Sequence, residues 1–185
     1  MERRSPGWPA KTIENWARKT LSWYIDTTGY EASLEKPPCP YSFSATSEVH
    51  YFAPSRLISV SIGTGQGGGG GAHPAHGFFA FNFGVIDGKA TRLALRDMFR
   101  RGFAPRPLVT RLVTRKLREA GARDAVEGRM TLMADELDNF FITRVGLTYA
   151  FMPGRLATYA EGPFEATLTI SELGPNFRRE LVLGR

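Results

Sequence analysis

The stretch that decides the fold is Leu57–Gly84, LISVSIGTGQGGGGGAHPAHGFFAFNFG. It opens as an apolar run, passes through seven glycines in the nine positions 63–71, and leaves through His73 and His76 into a burst of phenylalanines. Three readings compete: a phosphate-cradling loop, a metal site, or a connection between two strands. Gly63, Gly65 and Gly68 satisfy G-x-G-x-x-G after an apolar strand, and Asp87 lies about twenty residues further on. A dinucleotide fingerprint, however, needs a helix opening at the third glycine so that its N-terminus meets the pyrophosphate. Here the chain runs through more glycines and Pro74 into a phenylalanine-rich strand, and no G-K-[ST] is present, so neither a nucleotide nor any other cofactor is expected. His73 and His76, with His50 the only other imidazole, sit in an extended Pro74-containing loop that fixes no ligand geometry, and no metal is expected. The connection between strands is the reading carried forward.

Working outward, Pro9 to Ile25 has helical spacing, with Ile13, Trp16, Ala17, Leu21 and Tyr24 on one stripe. Gly29 and the KPPCP segment end it. YSFSATSEVHYF alternates through Phe43, Ala45, Ser47, Val49 and Tyr51, the period of a half-buried strand. Asp87-Gly88 is a hairpin signal after GFFAFNFGVI. LALRDMFRRGF reads as a short helical turn, and Pro107 to Ala120 as a second main helix with Leu108, Val109, Leu112, Val113 and Leu117 inward and Gly121 as cap. NFFITRVGLTYAFM is a hairpin turning near Val145-Gly146, and FEATLTISEL is a last strand alternating Phe164, Ala166, Leu168 and Ile170. The expectation is an α+β fold over 1–185: one domain, a mostly antiparallel sheet, and two main helices packed on one face.

Charge is uneven. Between Arg92 and Arg129 lie eleven basic and four acidic residues, a local +7 against +6 for the whole chain. Such a region favours an anionic partner, nucleic acid included, unless it is a solvated helix face in an arginine-rich chain. The single cysteine, Cys39, sits between prolines and cannot form an intrachain disulfide. No apolar run is long enough to span a bilayer, and MERRSPGWPAKTIENW has no apolar signal region. No serine elbow, H-E-x-x-H or local acid–base pair stands out, so no catalytic residue is assigned. Asp135, Glu136 and Asp138 read as a solvated loop before the hairpin.

Two segments together carry a resemblance. GGAHPAHGFFAFNFGVIDGKATRLALRDMF has a G-G-A-H-P turn, an aromatic strand, a G-K turn and a short L-x-D-x-F helix. FFITRVGLTYAFMPGRLATYAEGPFEATLTISEL has a hairpin with a central glycine, F-x-P, a Y-A-x-G bend and a strand ending in S-E-L. In order and spacing, 57–173 resembles the domain of unknown function 3298 family, with 1–56 as the N-terminal helix and first strand of the same domain. The matching positions are Gly70, Gly71, Ala72, His73 and Pro74; Gly88 and Lys89; Leu95, Asp97 and Phe99; then Gly146, Pro153, Tyr159, Ala160, Gly162 and Leu173. The resemblance implies a bacterial cell-envelope setting, extracytoplasmic, among relatives that include a lysozyme-sensing anti-sigma factor ectodomain and an accessory domain of peptidoglycan deacetylases. Where the family usually has Tyr-Glu after the proline, this chain has Gly154-Arg155, which removes an aromatic from that exposed corner.

The first functional expectation is a non-catalytic binding or sensing domain for a wall glycan or a protein, with Gly70, Gly71, His73, His76, Pro153, Arg155 and Tyr159 as candidate contacts. The second is a cell-wall hydrolase or deacetylase-type enzyme using His73 or His76. The third is a nucleic-acid binder through Arg92–Arg129. Oligomeric state is left open.

Overall fold

The computed structural model describes residues 11, 13–20, 22, 42–68 and 72–184. By contacts the chain divides into two compact units, Met1–Ala45 with Thr64–Ala75, and Thr46–Gly63 with His76–Arg185. In the first unit, residues 13–20 form helix α1, as the spacing predicts, with Ile13, Trp16 and Thr20 half-buried and an Arg18–Glu14 ion pair at 2.8 Å. Leu21 and Tyr24 of the expected stripe, like Cys39, lie outside the described residues.

Strands β1 (Ser42–Ala53), β2 (Leu57–Gly67), β3 (Ala75–Ile86) and β4 (Lys89–Arg92) form one sheet in that order. β2 and β3 are neighbours, so the glycine run is strand-to-strand chain. It is less of a loop than expected, because Gly63, Gly65 and Gly67 belong to β2 itself. β2 ends at Gly67 and β3 starts at Ala75, so the G-x-G-x-x-G match is followed within a few residues by a strand. β3 and β4 pair antiparallel with Ile86 opposite Lys89, across Asp87 and Gly88, both at positive φ (+50° and +74°), the type I′ geometry that Asp-Gly favours. β1 differs from the half-buried strand its alternation predicts: it is an edge strand, with Val49 58% and Phe52 65% exposed.

After a 3-10 turn at Leu95–Met98, helix α2 (Pro105–Glu119) begins two residues before the expected start, with Pro105 in its first turn where a missing N–H costs nothing. Val109, Leu112, Val113 and Leu117 are buried, and α2 packs against β7. Ala122 N–H donates to the Leu117 carbonyl (2.9 Å) and Gly121 N–H to that of Arg118 (3.1 Å), a Schellman end with Gly121 at φ +80°. Short helices α3 (Arg123–Val126) and α4 (Ala134–Asp138) follow, then β5 (Phe141–Thr143), β6 (Gly146–Phe151) and β7 (Phe164–Thr169), an antiparallel three-stranded sheet. The last strand stops before Ile170: Thr169 caps helix α5 (Ile170–Leu173), its hydroxyl accepting from Glu172 N–H while Glu172 accepts from Thr169 N–H at 2.9 Å. This capping box overrides the alternation that continued the strand through Ile170. Helix α6 (Arg179–Leu183) is tied to the β1–β2 turn by Tyr51 and Arg56, which both donate to the Val182 carbonyl.

A buried polar network joins the two sheets. Ser59 Oγ donates to Asn82 Oδ1 (2.7 Å) and accepts from Ile142 N–H (2.8 Å), while Asn82 Nδ2 donates to the Phe140 carbonyl (2.6 Å). Asn139 acts as a surrogate strand partner for β3, accepting from Ala80 N–H and donating to the Phe78 carbonyl. Ser59 and Asn82 are buried and bonded at both ends, which removes the cost of burying them. Among the described residues no helix is long and apolar enough to cross a membrane.

Candidate functional site

The sequence-predicted contacts that come together do so at the start of β3 and in the β6–β7 connection. After β6, Met152 leads into a turn closed by Arg155 N–H donating to the Met152 carbonyl at 3.1 Å. Gly154 stands there at φ +83°, a conformation that side chains disfavour, and the reversal swings Arg155 back toward α4. Arg155 grips Glu136 through Nε and Nη2 (2.6 and 2.9 Å) and donates from Nη2 to the Thr131 carbonyl (2.9 Å). Glu136 also accepts from Met133 N–H at 2.8 Å. Burial works to raise the Glu136 carboxyl, but the hydrogen bonds from Arg155 and Met133 and the Arg155 charge prevail and hold it below its ordinary value. The acidic cluster is therefore no solvated loop: it is α4, with Glu136 on Arg155 and Asp138 accepting from Leu95 N–H (2.9 Å).

Beside this pair, His76 and Tyr159 are bonded through Nε2 and the phenol oxygen at 2.8 Å, their rings stacked with centroids 6.0 Å apart. His76, Phe78, Glu136, Asn139, Met152 and Arg155 line one shallow cleft of about 210 Å³, floored by Tyr149, Ala150 and Phe151. Tyr149 is fully buried, its hydroxyl donating to the Leu137 carbonyl, and burial raises its pKa far above the ordinary value. Pro153 is half-buried in the adjoining turn. His73 is exposed and belongs to the other unit, and Gly70 and Gly71 lie outside the described residues. Sequence reasoning did not single out Phe78, Glu136 and Asn139, which also line the cleft. Only Glu136 had a local signal, its carboxylate three residues after Met133 at a helix start.

A second pair was also missed. His50 on β1 bonds Ser61 Oγ on β2 at 2.7 Å, lies flat on Phe141 at 3.8 Å, and has Glu48 3.7 Å from Nδ1. Burial lowers its pKa, outweighing Glu48 and Glu165, which raise it. The spacing matches a nucleophile–base pair. Ser61 is only 5% exposed, however, and neither residue lines the His76 cleft, so the contact reads as packing of an edge strand. Among the described residues no three His, Cys, Asp or Glu gather as metal ligands would.

The cleft chemistry is an ionised Arg–Glu pair, an imidazole–phenol pair and an aromatic wall, without an activated nucleophile. Its volume is below the roughly 300 Å³ from which small-molecule pockets enclose a substrate. It suits contact with part of a larger ligand.

The fold and this site define an α+β domain with a surface cleft. Residues 96–171 match the model of a protein family of unknown function, DUF3298, so the resemblance holds over that segment, which begins after the glycine–histidine turn. The crystal structure of a DUF3298 family member from Bacteroides fragilis is similar at 18% identity and a TM-score of 0.59, covering 99% of this chain and 75% of that one. A DUF3298 family protein from Pseudomonas aeruginosa aligns at 18% identity and a TM-score of 0.60, covering 78% of this chain and 66% of its own. At that identity the likeness is one of fold. No curated protein matches the chain significantly.

Proposed function

We propose that the chain is a non-catalytic binding or sensing domain of the bacterial envelope, and that its ligand is a wall glycan held at the His76–Arg155 cleft. The observation that carries this is convergence: His76 and Arg155, candidates far apart in sequence, line one shallow depression with Phe78, and Tyr159 is bonded to His76. Sugars are bound by an aromatic face together with fixed, planar hydrogen-bonding groups, and a bidentate Arg–carboxylate pair supplies such groups. The envelope setting rests on the resemblance of the glycine–histidine turn and the later hairpin to the family pattern.

The test is titration of the folded chain with solubilised peptidoglycan fragments, with a lysozyme pull-down as a second arm. Saturable fragment binding, weakened at least about tenfold by His76→Ala or Tyr159→Ala, supports the reading, since hot-spot contacts cost about this much. Lysozyme capture lost in the same variants would make the ligand a protein. Binding unchanged in both variants, or absent in the wild type, overturns it. Fragment cleavage that depends on His76 would make the protein a hydrolase instead.

A further inference from the structure

The structure resolves where the excess positive charge of 92–129 goes. Arg115 and Lys116 pair with Glu172, Arg123 with Glu161, and Arg129 with Asp124 and Glu127; Arg118 donates to the Ala125 carbonyl, and Arg92 lies over the Phe81 ring. Arg106 has Asp138 at 3.6 Å. Among the described residues of 92–129, Arg100, Arg101 and Arg111 show no side-chain ion pair or hydrogen bond; Arg111 lines another cleft beside Pro107 and Glu172, whereas Arg100 and Arg101 line a cleft of about 560 Å³ with Arg96 and Arg178.

The backbone builds this cleft. Phe99 and Phe177 form an antiparallel bridge, closed by Arg100 N–H to the Asn176 carbonyl (2.8 Å) and Arg178 N–H to that of Met98 (2.9 Å). Arg178 is oriented by the Asp97 carbonyl at 3.3 Å and Glu180 at 3.4 Å. Ile86, Phe99 and Phe103 add apolar lining. Two carboxylates line it as well: Asp97, one oxygen of which accepts from Ala94 N–H (2.9 Å) while the other has Arg96 at 3.8 Å, and Asp87 on the β3–β4 turn.

We infer that this cleft is an oxyanion site for a phosphate-bearing ligand, separate from the His76 cleft. Guanidiniums bind tetrahedral oxyanions through paired N–H donors, and a phosphate ester offers enough charge and acceptor oxygens to engage several at once. The apolar lining would take the organic portion.

The test titrates the full chain with inorganic pyrophosphate, read by calorimetry at low and high salt and by NMR of the arginine Nε–H groups. The expected result is saturable, salt-weakened binding that Arg100→Ala/Arg101→Ala reduces at least about tenfold and Arg123→Ala/Arg129→Ala, with the same charge loss at paired arginines, about twofold or less. Arg101→Gln, in an exposed turn, is the backup should the double variant melt early. A thymidine hexanucleotide arm separates the sources: tighter pyrophosphate binding means a terminal phosphate, tighter oligonucleotide binding a phosphodiester backbone. No saturable binding of either probe, or losses of similar size in the two double variants, overturns the inference.

Discussion

At the scale of single residues, the strongest constraint is Gly146. It opens β6 opposite Thr143 at φ +151°, and a Cβ there would run into the Leu168 carbonyl oxygen. Gly146→Ala must open the β6–β7 pairing, so a loss of about 3 kcal/mol is expected in a denaturant titration. Asn82→Ala should cost about 2–4 kcal/mol by the same measurement, because it orphans the Phe140 carbonyl and unties Ser59. His50 gives a pH signature. Its pKa is lowered in the fold, so below 6.5 the unfolded chain takes up the proton first. Stability should therefore fall as pH drops below 6.5 toward the lowered folded value, a slope seen in urea midpoints and flattened in His50→Phe.

At the scale of elements, the junction of β7, α5 and α2 rests on Glu172. Its carboxyl is lowered to about 2, first by Thr169 N–H and then by Lys116 and the Thr169 hydroxyl, against a raising contribution from burial. A depressed folded pKa gives stability that is present above 4.5 and lost as pH falls toward 2. The difference in thermal midpoint between wild type and Glu172→Gln should be largest near neutrality and shrink through that window. An unchanging difference would mean that the cap acts by shape alone. The signal for this junction was in the sequence as Thr169-x-x-Glu172, a capping box inside what alternation presents as strand. Alternation reports a face for burial; it does not report where a carboxylate can turn back to close a helix.

At the scale of the whole molecule, arginines of one charged region have different fates according to what the fold places opposite them. Arg123 and Arg129 meet carboxylates, while Arg100 and Arg101 meet an open cleft. Phosphate probes should therefore perturb the bridge at Phe99 and Phe177, and glycan fragments the His76–Tyr159 pair. Competition between the two probes, read by NMR, should be absent if the sites are separate.

The sequence by itself determined the strand–glycine–strand reading of Leu57–Gly84, the Asp87-Gly88 turn, the α2 stripe and the Gly121 cap, because each is a short-range effect of backbone sterics and periodic burial. It also placed His76, Arg155 and Tyr159 among the candidates. Only the tertiary structure decided that His76 bonds Tyr159 and shares a cleft with Arg155, that Glu136 holds Arg155, and that Asn139 completes the hydrogen bonding of β3. Those pairings span 19 to 83 positions along the chain, and no local pattern records which distant donor will face which acceptor.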